Sequence, residues 1–166
     1  MERKTLVQDV AVRHFLMTLL FLFFVTIIQG LGSLFVGPES YAWYLELNKP
    51  EWTPPAQSFG PIWVFLYILV ALAGFILWTR SKSKERTLGL LFWALQLFFN
   101  GMWTFFFFGL KSTSLGLTDL LLALGFTLAA MHYTNKISKL GCYILVPYLL
   151  WLCYTAFLNF SIFWIN

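Results

Sequence analysis

Trp43-Tyr44-Leu45-Glu46-Leu47-Asn48-Lys49-Pro50-Glu51-Trp52-Thr53-Pro54-Pro55, followed closely by Gly60-Pro61-Ile62-Trp63, decides how this chain is read. The stretch is too polar and too broken by proline to cross a bilayer. An apolar run long enough to do so lies on each side of it. Connections in compact domains usually run to about 4–6 residues, so an aromatic loop over 37–58 has a task beyond joining two helices. We read it as a lid over a binding cavity.

Working outward, the 166 residues are 60% hydrophobic and 20% aromatic but only 11% charged, where a soluble domain is about 25% charged. So much apolar surface has to be solvated by lipid. Five runs, near 15–35, 59–79, 88–109, 115–133 and 141–164, meet the roughly 20 helical residues that a bilayer core of about 30 Å requires. Backbone groups in lipid must be satisfied within the segment, which makes these runs helices. Barrel strands would alternate over segments of about ten residues, and no such pattern is present. The predicted fold is all-α: a single integral-membrane domain over 1–166, a five-helix bundle capped by the long loop between helices 1 and 2. A rival reading makes the first run a cleaved signal peptide, with Arg3, Lys4 and Arg13 before it and Gly30-Leu31-Gly32 as small residues. The run exceeds the roughly 7–15 apolar residues of such a segment.

With the N-terminus on side one, that side holds Arg3, Lys4, Arg13, Arg80, Lys82, Lys84, Arg86, Lys136 and Lys139, and side two only Lys49 and Lys111. Basic residues in short loops favour the cytoplasm. The expected placement is a bacterial cell membrane, multi-pass, with a cytoplasmic N-terminus; in an organelle membrane the rule guides less well. No basic stripe points to nucleic acid as a partner. No repeat of fixed period is present, and an odd helix count argues against paired inverted repeats. Cys142 and Cys153 would lie about 16 Å apart on one helix, too far to bridge, and read as small buried hydrophobes.

Trp78 and Trp164 fit an interfacial aromatic belt. Trp151 falls near mid-span, where its indole N–H needs a protein or ligand partner. Gln96, Asn100, Trp103 and Phe107 share one helical face, as do Tyr148, Trp151, Thr155 and Asn159; Trp63 and Tyr67 are i, i+4 neighbours. Pro147 is expected to kink the last helix. These polar groups either line a cavity or hold helices together, and interhelical hydrogen bonds average only about 0.6 kcal/mol. Asp119, the one acid within a predicted span, is expected to play an interfacial structural part near a helix start. His14 and His132 read as interface residues rather than metal or haem ligands. No catalytic constellation, metal-ligand spacing or nucleotide-binding glycine loop appears.

From Trp43 onward the chain resembles the TspO/translocator-protein family, the tryptophan-rich sensory proteins related to the peripheral benzodiazepine receptor. The resemblance rests on Trp43-Tyr44-x-x-Leu47-x-Lys49-Pro50-x-Trp52-x-Pro54-Pro55 and Gly60-Pro61-x-Trp63-x-x-Leu66-Tyr67. It continues through Ala94-Leu95-Gln96-Leu97-x-x-Asn100-x-x-Trp103, Phe107-Phe108-Gly109, Asp119-Leu120-Leu121-Leu122 and Pro147-Tyr148-Leu149-Leu150-Trp151. It implies a five-helix bundle, often a homodimer, that binds porphyrins, benzodiazepine-type drugs and, in animal members, cholesterol beneath its first long loop. The ligand positions it implies are Tyr44, Pro54, Trp63, Asn100, Trp103, Trp151 and Leu158. Thr155 stands where the family usually has alanine and is expected to narrow the cavity. The animal cholesterol motif, a Tyr-Arg near the C-terminus, is not matched by Leu158-Asn159-Phe160-Ser161-Ile162-Phe163-Trp164.

The expected function is therefore a membrane receptor or sensor for protoporphyrin IX-like tetrapyrroles and related hydrophobic aromatics, acting in stress or tetrapyrrole regulation. Flat rings would stack on Trp63, Trp103 and Trp151, oriented by Asn100 and Tyr44. No cofactor is obligatory. With no histidine at cavity depth, metal-free porphyrin should bind at least as well as haem. The alternatives are a tetrapyrrole or sterol transporter, and a light-dependent porphyrin-degrading enzyme with Trp63 and Trp151 as its redox pair.

Overall fold

A computed structural model describes residues 2–166, with side chains from Ala11 onward. In chain order it contains α1 (Glu2–Ser33), α2 (Pro38–Glu46), α3 (Ala56–Trp78), α4 (Lys84–Thr104), a π-helical turn (Phe105–Gly109), α5 (Thr113–Asn135), α6 (Lys139–Ile144) and α7 (Val146–Ile165). Among the described residues there is no strand. Five stretches are long and apolar enough to span a membrane: Ala11–Ser33, Ala56–Trp78, Lys84–Gly109, Thr113–Asn135 and Lys139–Ile165. The chain is an all-α, five-span bundle.

The helix starts differ from those read off hydropathy, because apolarity marks the bilayer core and caps mark the helix. Ser83 accepts from the Arg86 N–H at 3.1 Å, so α4 begins before its apolar run. Ser112 and Ser138 do the same for α5 and α6, through the Leu115 and Gly141 N–H groups. Each such cap stabilises a helix by about 1 kcal/mol. The expected kink at Pro147 is a break: α6 stops at Ile144, Leu145 bridges, and α7 restarts with Pro147 in its first turn, where the missing N–H is harmless.

The expected lid loop is in part a helix. Gly37, extended at φ −101°, caps α2, and Pro38 opens it. The Ser40 hydroxyl accepts from the Gly37 N–H at 2.9 Å and is buried. Only residues 47–55 remain irregular. There Lys49 folds back, donating to the Tyr44 and Leu47 carbonyls, both at 2.7 Å, with its ammonium 4.7 Å from the Tyr44 ring centre. A cation on the last carbonyls of α2 complements the helix dipole. Trp52 stacks on Phe157 of α7 at 5.4 Å and 13°. Asn166 accepts from the Asn48 N–H at 2.9 Å and donates to the Asn48 carbonyl at 3.0 Å. These contacts tie the lid to α7.

The bundle is tightly packed through its middle and opens into a cavity toward the lid. In the packed part Val70, Leu97, Tyr148 and Leu152 are fully buried in one cluster with Trp93, whose Nε1 donates to the Val70 carbonyl at 2.8 Å. Tyr148 donates to Gln96 Oε1 at 2.6 Å, which closes the layer. Toward the lid α1 approaches α4 closely, since a Cβ at Gly101 would lie 2.4 Å from Ile28 Cγ2 and one at Gly32 2.6 Å from Thr104 Oγ1. Small residues permit such approach between membrane helices. Outside, Phe23, Phe65, Leu150 and Phe157 stay exposed to the lipid. Cys153 is exposed too and Cys142 half-buried, so neither is the fully buried hydrophobe expected.

Candidate ligand cavity beneath the lid

Under α2 lies a cavity of about 400 Å³, within the roughly 300–1,000 Å³ of small-molecule sites. Six segments build its wall: Ile28 and Gln29 from α1, Tyr41 and Tyr44 from α2, Trp63 and Tyr67 from α3, Asn100, Trp103 and Phe107 from α4 and its π turn, Leu120 from α5, and Thr155, Leu158 and Asn159 from α7. Of the eight residues expected at a site, Tyr44, Trp63, Asn100, Trp103, Thr155 and Leu158 meet here.

Pro54 and Trp151 do not line the cavity. Pro54 sits half-buried in the irregular part of the lid. Trp151 stands behind Trp63, edge-on at 6.3 Å, against Phe59 at 5.9 Å and stacked on Tyr154 at 5.3 Å. Its helical face was read correctly, but Phe59 and Trp63 of α3 occupy the space between it and the hollow. Its Nε1 is buried and finds no partner among the described residues.

The polar groups of the wall are held in register by one another. The Tyr67 hydroxyl donates to Asn100 Oδ1, which leaves the Asn100 Nδ2 to face the cavity. Trp103 Nε1 donates to Asn159 Oδ1 at 3.1 Å, and Asn159 Nδ2 donates to the Thr113 carbonyl at 2.8 Å. Both interior faces read from the sequence therefore point inward, and each amide serves the wall as well as the hollow. The π turn, closed by the Leu110 N–H on the Phe105 carbonyl at 2.8 Å, brings Phe107 under Trp103 at 5.0 Å and Phe108 edge-on to it. Such turns cluster at functional sites because the extra residue re-aims side chains. Burial, and next the neighbouring Tyr41, push the Tyr44 phenol above its ordinary value of 10.0. It is thus a neutral hydrogen-bond donor.

Asp119 departs from expectation. It is 2% exposed in the second turn of α5, and both carboxyl oxygens lack a partner among the described residues. His14 and His132 are exposed at the far end, and no group of metal-ligating residues assembles among the described residues. Sequence reasoning missed Gln29, Tyr41 and Thr104 as wall residues and took Tyr67 only as a neighbour of Trp63. Gln29 had a signal, being the one amide in the span Ala11–Ser33.

The profile of the TspO/MBR family matches residues 18–165. The chain belongs to this family. A tryptophan-rich protein TspO from Chlorobaculum tepidum is 36% identical over 136 residues, covering 81% of this chain and 86% of that protein. The tryptophan-rich protein TspO of Bacillus cereus is 35% identical over 129 residues, covering 78% and 84%. The human translocator protein is 34% identical over 133 residues, covering 79% of each chain. The chain is thus a multi-pass integral membrane protein of the TspO type. The Thr155 hydroxyl donates to its own helix, to the Trp151 and Leu152 carbonyls at 3.0 and 3.1 Å. Its methyl group is left to take up cavity space.

Proposed function

We propose that this TspO-family protein is a membrane receptor that holds a flat hydrophobic aromatic molecule of the porphyrin class under α2. The observation that carries the reading is the pairing of the Trp63 and Trp103 rings with the amide of Asn100 around a cavity closed by a helical lid. Indole faces favour flat conjugated rings, and a few convergent polar groups fix orientation in an otherwise apolar pocket. Tyr44 and Asn100 offer hydrogen bonds to a ring edge. Among the described residues the wall contains no histidine or cysteine, which supports metal-free porphyrin binding at least as well as haem.

In the same reading the N-terminus is cytoplasmic, because the nine basic residues gather at that end, and the membrane is that of a bacterial cell. A homodimer is part of the proposal through the family resemblance, checked by cross-linking in native membranes. A photochemical activity has one observation in its favour, the edge-on Trp63–Trp151 pair at 6.3 Å with an unpartnered indole N–H.

The test is titration of purified protein with protoporphyrin IX, followed by the porphyrin absorption band in the dark and after illumination. Saturable binding should weaken roughly thirtyfold in Trp63→Ala, the change that about 2 kcal/mol produces at a buried aromatic contact. Trp164→Ala, at the lipid surface, should bind as wild type. Equal affinity in wild type and Trp63→Ala sinks the reading. A light-induced product lost in Trp151→Phe turns it toward chemistry.

A further inference from the structure

The end of the bundle away from the lid has a hollow of its own. It occupies about 260 Å³ between α1 and the last turn of α3, lined by Arg13, His14, Met17, Trp78 and Thr79. Trp78 joins it to α4, because the Arg86 guanidinium lies 4.8 Å from the indole ring centre and its Nη2 donates to the Trp78 carbonyl at 2.8 Å. The Arg86 Nε is buried and lacks a partner among the described residues. Among the described side chains this end carries Arg13, Arg80, Lys82, Lys84, Arg86, Lys136 and Lys139 against the single acid Glu85. Its field is strongly positive.

Immediately toward the bilayer centre, Phe15, Leu16, Leu19, Leu20 and Phe23 of α1 are exposed. A cationic notch thus sits directly over an apolar helix face, at the depth that Trp78 marks as the membrane interface. From this we propose that the notch seats the anionic phosphate of a membrane phospholipid, with its acyl chains lying along α1. Guanidinium groups match phosphate oxygens in bidentate geometry. Basic pockets between membrane helices on the cytoplasmic side take acidic headgroups. Arg86, held on the Trp78 ring beside the notch, keeps its Nη1 edge for an anion without first losing side-chain freedom, its Nη2 being engaged by the Trp78 carbonyl. Arg13 supplies the second charge from the opposite wall. The seat is distant from the cavity under α2, so it does not depend on what that cavity binds.

The experiment uses the full chain in detergent micelles with added phosphatidylglycerol, phosphatidylcholine or inorganic phosphate, read by native mass spectrometry of retained lipid. Wild type should retain one phosphatidylglycerol in preference to phosphatidylcholine. The double variant Arg13→Gln/Arg86→Gln should hold it about tenfold less well, the order expected when charge-assisted hydrogen bonds are lost. Arg13→Lys/Arg86→Lys, which keeps charge without the fork, should fall between. Lys82→Gln/Lys139→Gln should match wild type. Helical circular dichroism and thermal unfolding establish that the variants fold; a variant that fails to fold is replaced by Arg86→Lys alone, for which a measurable loss is still required. Equal retention of the two lipids, or an equal loss in the Lys82/Lys139 variant, overturns the proposal by showing a diffuse charge effect. Displacement of phosphatidylglycerol by millimolar inorganic phosphate, sensitive to the same two arginines, overturns the lipid assignment and gives the notch to a soluble phosphate.

Discussion

Trp93 and Trp103 stand ten residues apart on α4, yet they belong to different kinds of interior. Trp93 is 5% exposed, its N–H is spent on a backbone carbonyl of α3, and the Phe21 and Phe24 rings of α1 pack against it. Trp103 is only half-buried; its N–H is held by Asn159, and its ring borders the cavity. The packed part keeps the helices together, and the hollow part uses that rigidity to hold an opening. A tryptophan-rich sequence is thus two populations, packing indoles and wall indoles, separated by whether a neighbouring helix fills the space beside them.

The sharpest way to break this comparison is to truncate one indole of each kind. Trp93→Ala should destabilise the protein by about 3–5 kcal/mol, seen as a large drop in thermal unfolding temperature in detergent. Trp63→Ala should cost much less stability while removing most porphyrin affinity. Similar unfolding temperatures for the two would erase the distinction between the two parts.

A smaller effect is expected at the seam where α1 closes the hollow. Gly101→Ala puts a Cβ 2.4 Å from Ile28 Cγ2, an overpacking that typically costs about 1–3 kcal/mol. Because Gly101 and Ile28 both line the cavity, the helix displacement should also change ligand affinity. Unfolding and titration measured on one preparation check both.

Next in size is Asp119→Asn. A buried carboxyl with no partner makes no interaction that a neutral amide of the same shape would lose, so the variant should unfold at the same temperature or higher. A marked loss of stability would show that the carboxyl has a partner the described contacts do not include. The mildest change is Thr155→Ala. Its hydroxyl bonds only within α7, so stability should move by less than about 1 kcal/mol, while the roomier wall should tighten binding of bulky aromatics a few-fold. Unaltered affinity for both large and small ligands would remove Thr155 from the determinants of cavity size.

The five spans were legible because lipid solvation demands long apolar stretches, and the two inward faces were legible because helical spacing puts Gln96, Asn100 and Trp103 on one side. What hydropathy hid has separate causes. Helix α2 is hidden by the proline and charged residues that break its apolar pattern, although Gly37-Pro38 is a helix-start signal. The π turn was invisible within a run of four phenylalanines, all apolar whichever ladder they follow. Trp151 shows the limit of face arithmetic: the angle on α7 is fixed by sequence, but the space Phe59 and Trp63 occupy depends on where α3 comes to lie. Gln29 and Thr104 entered the wall for the same reason, through the close approach of α1 to α4.

The most direct measurement is the position of protoporphyrin IX in a crystal structure of the complex. The account predicts the macrocycle against the Trp63 and Trp103 rings, beneath α2 and within reach of the Asn100 amide. A porphyrin bound instead on the lipid-facing surface, with the space under α2 filled by side chains, would contradict it.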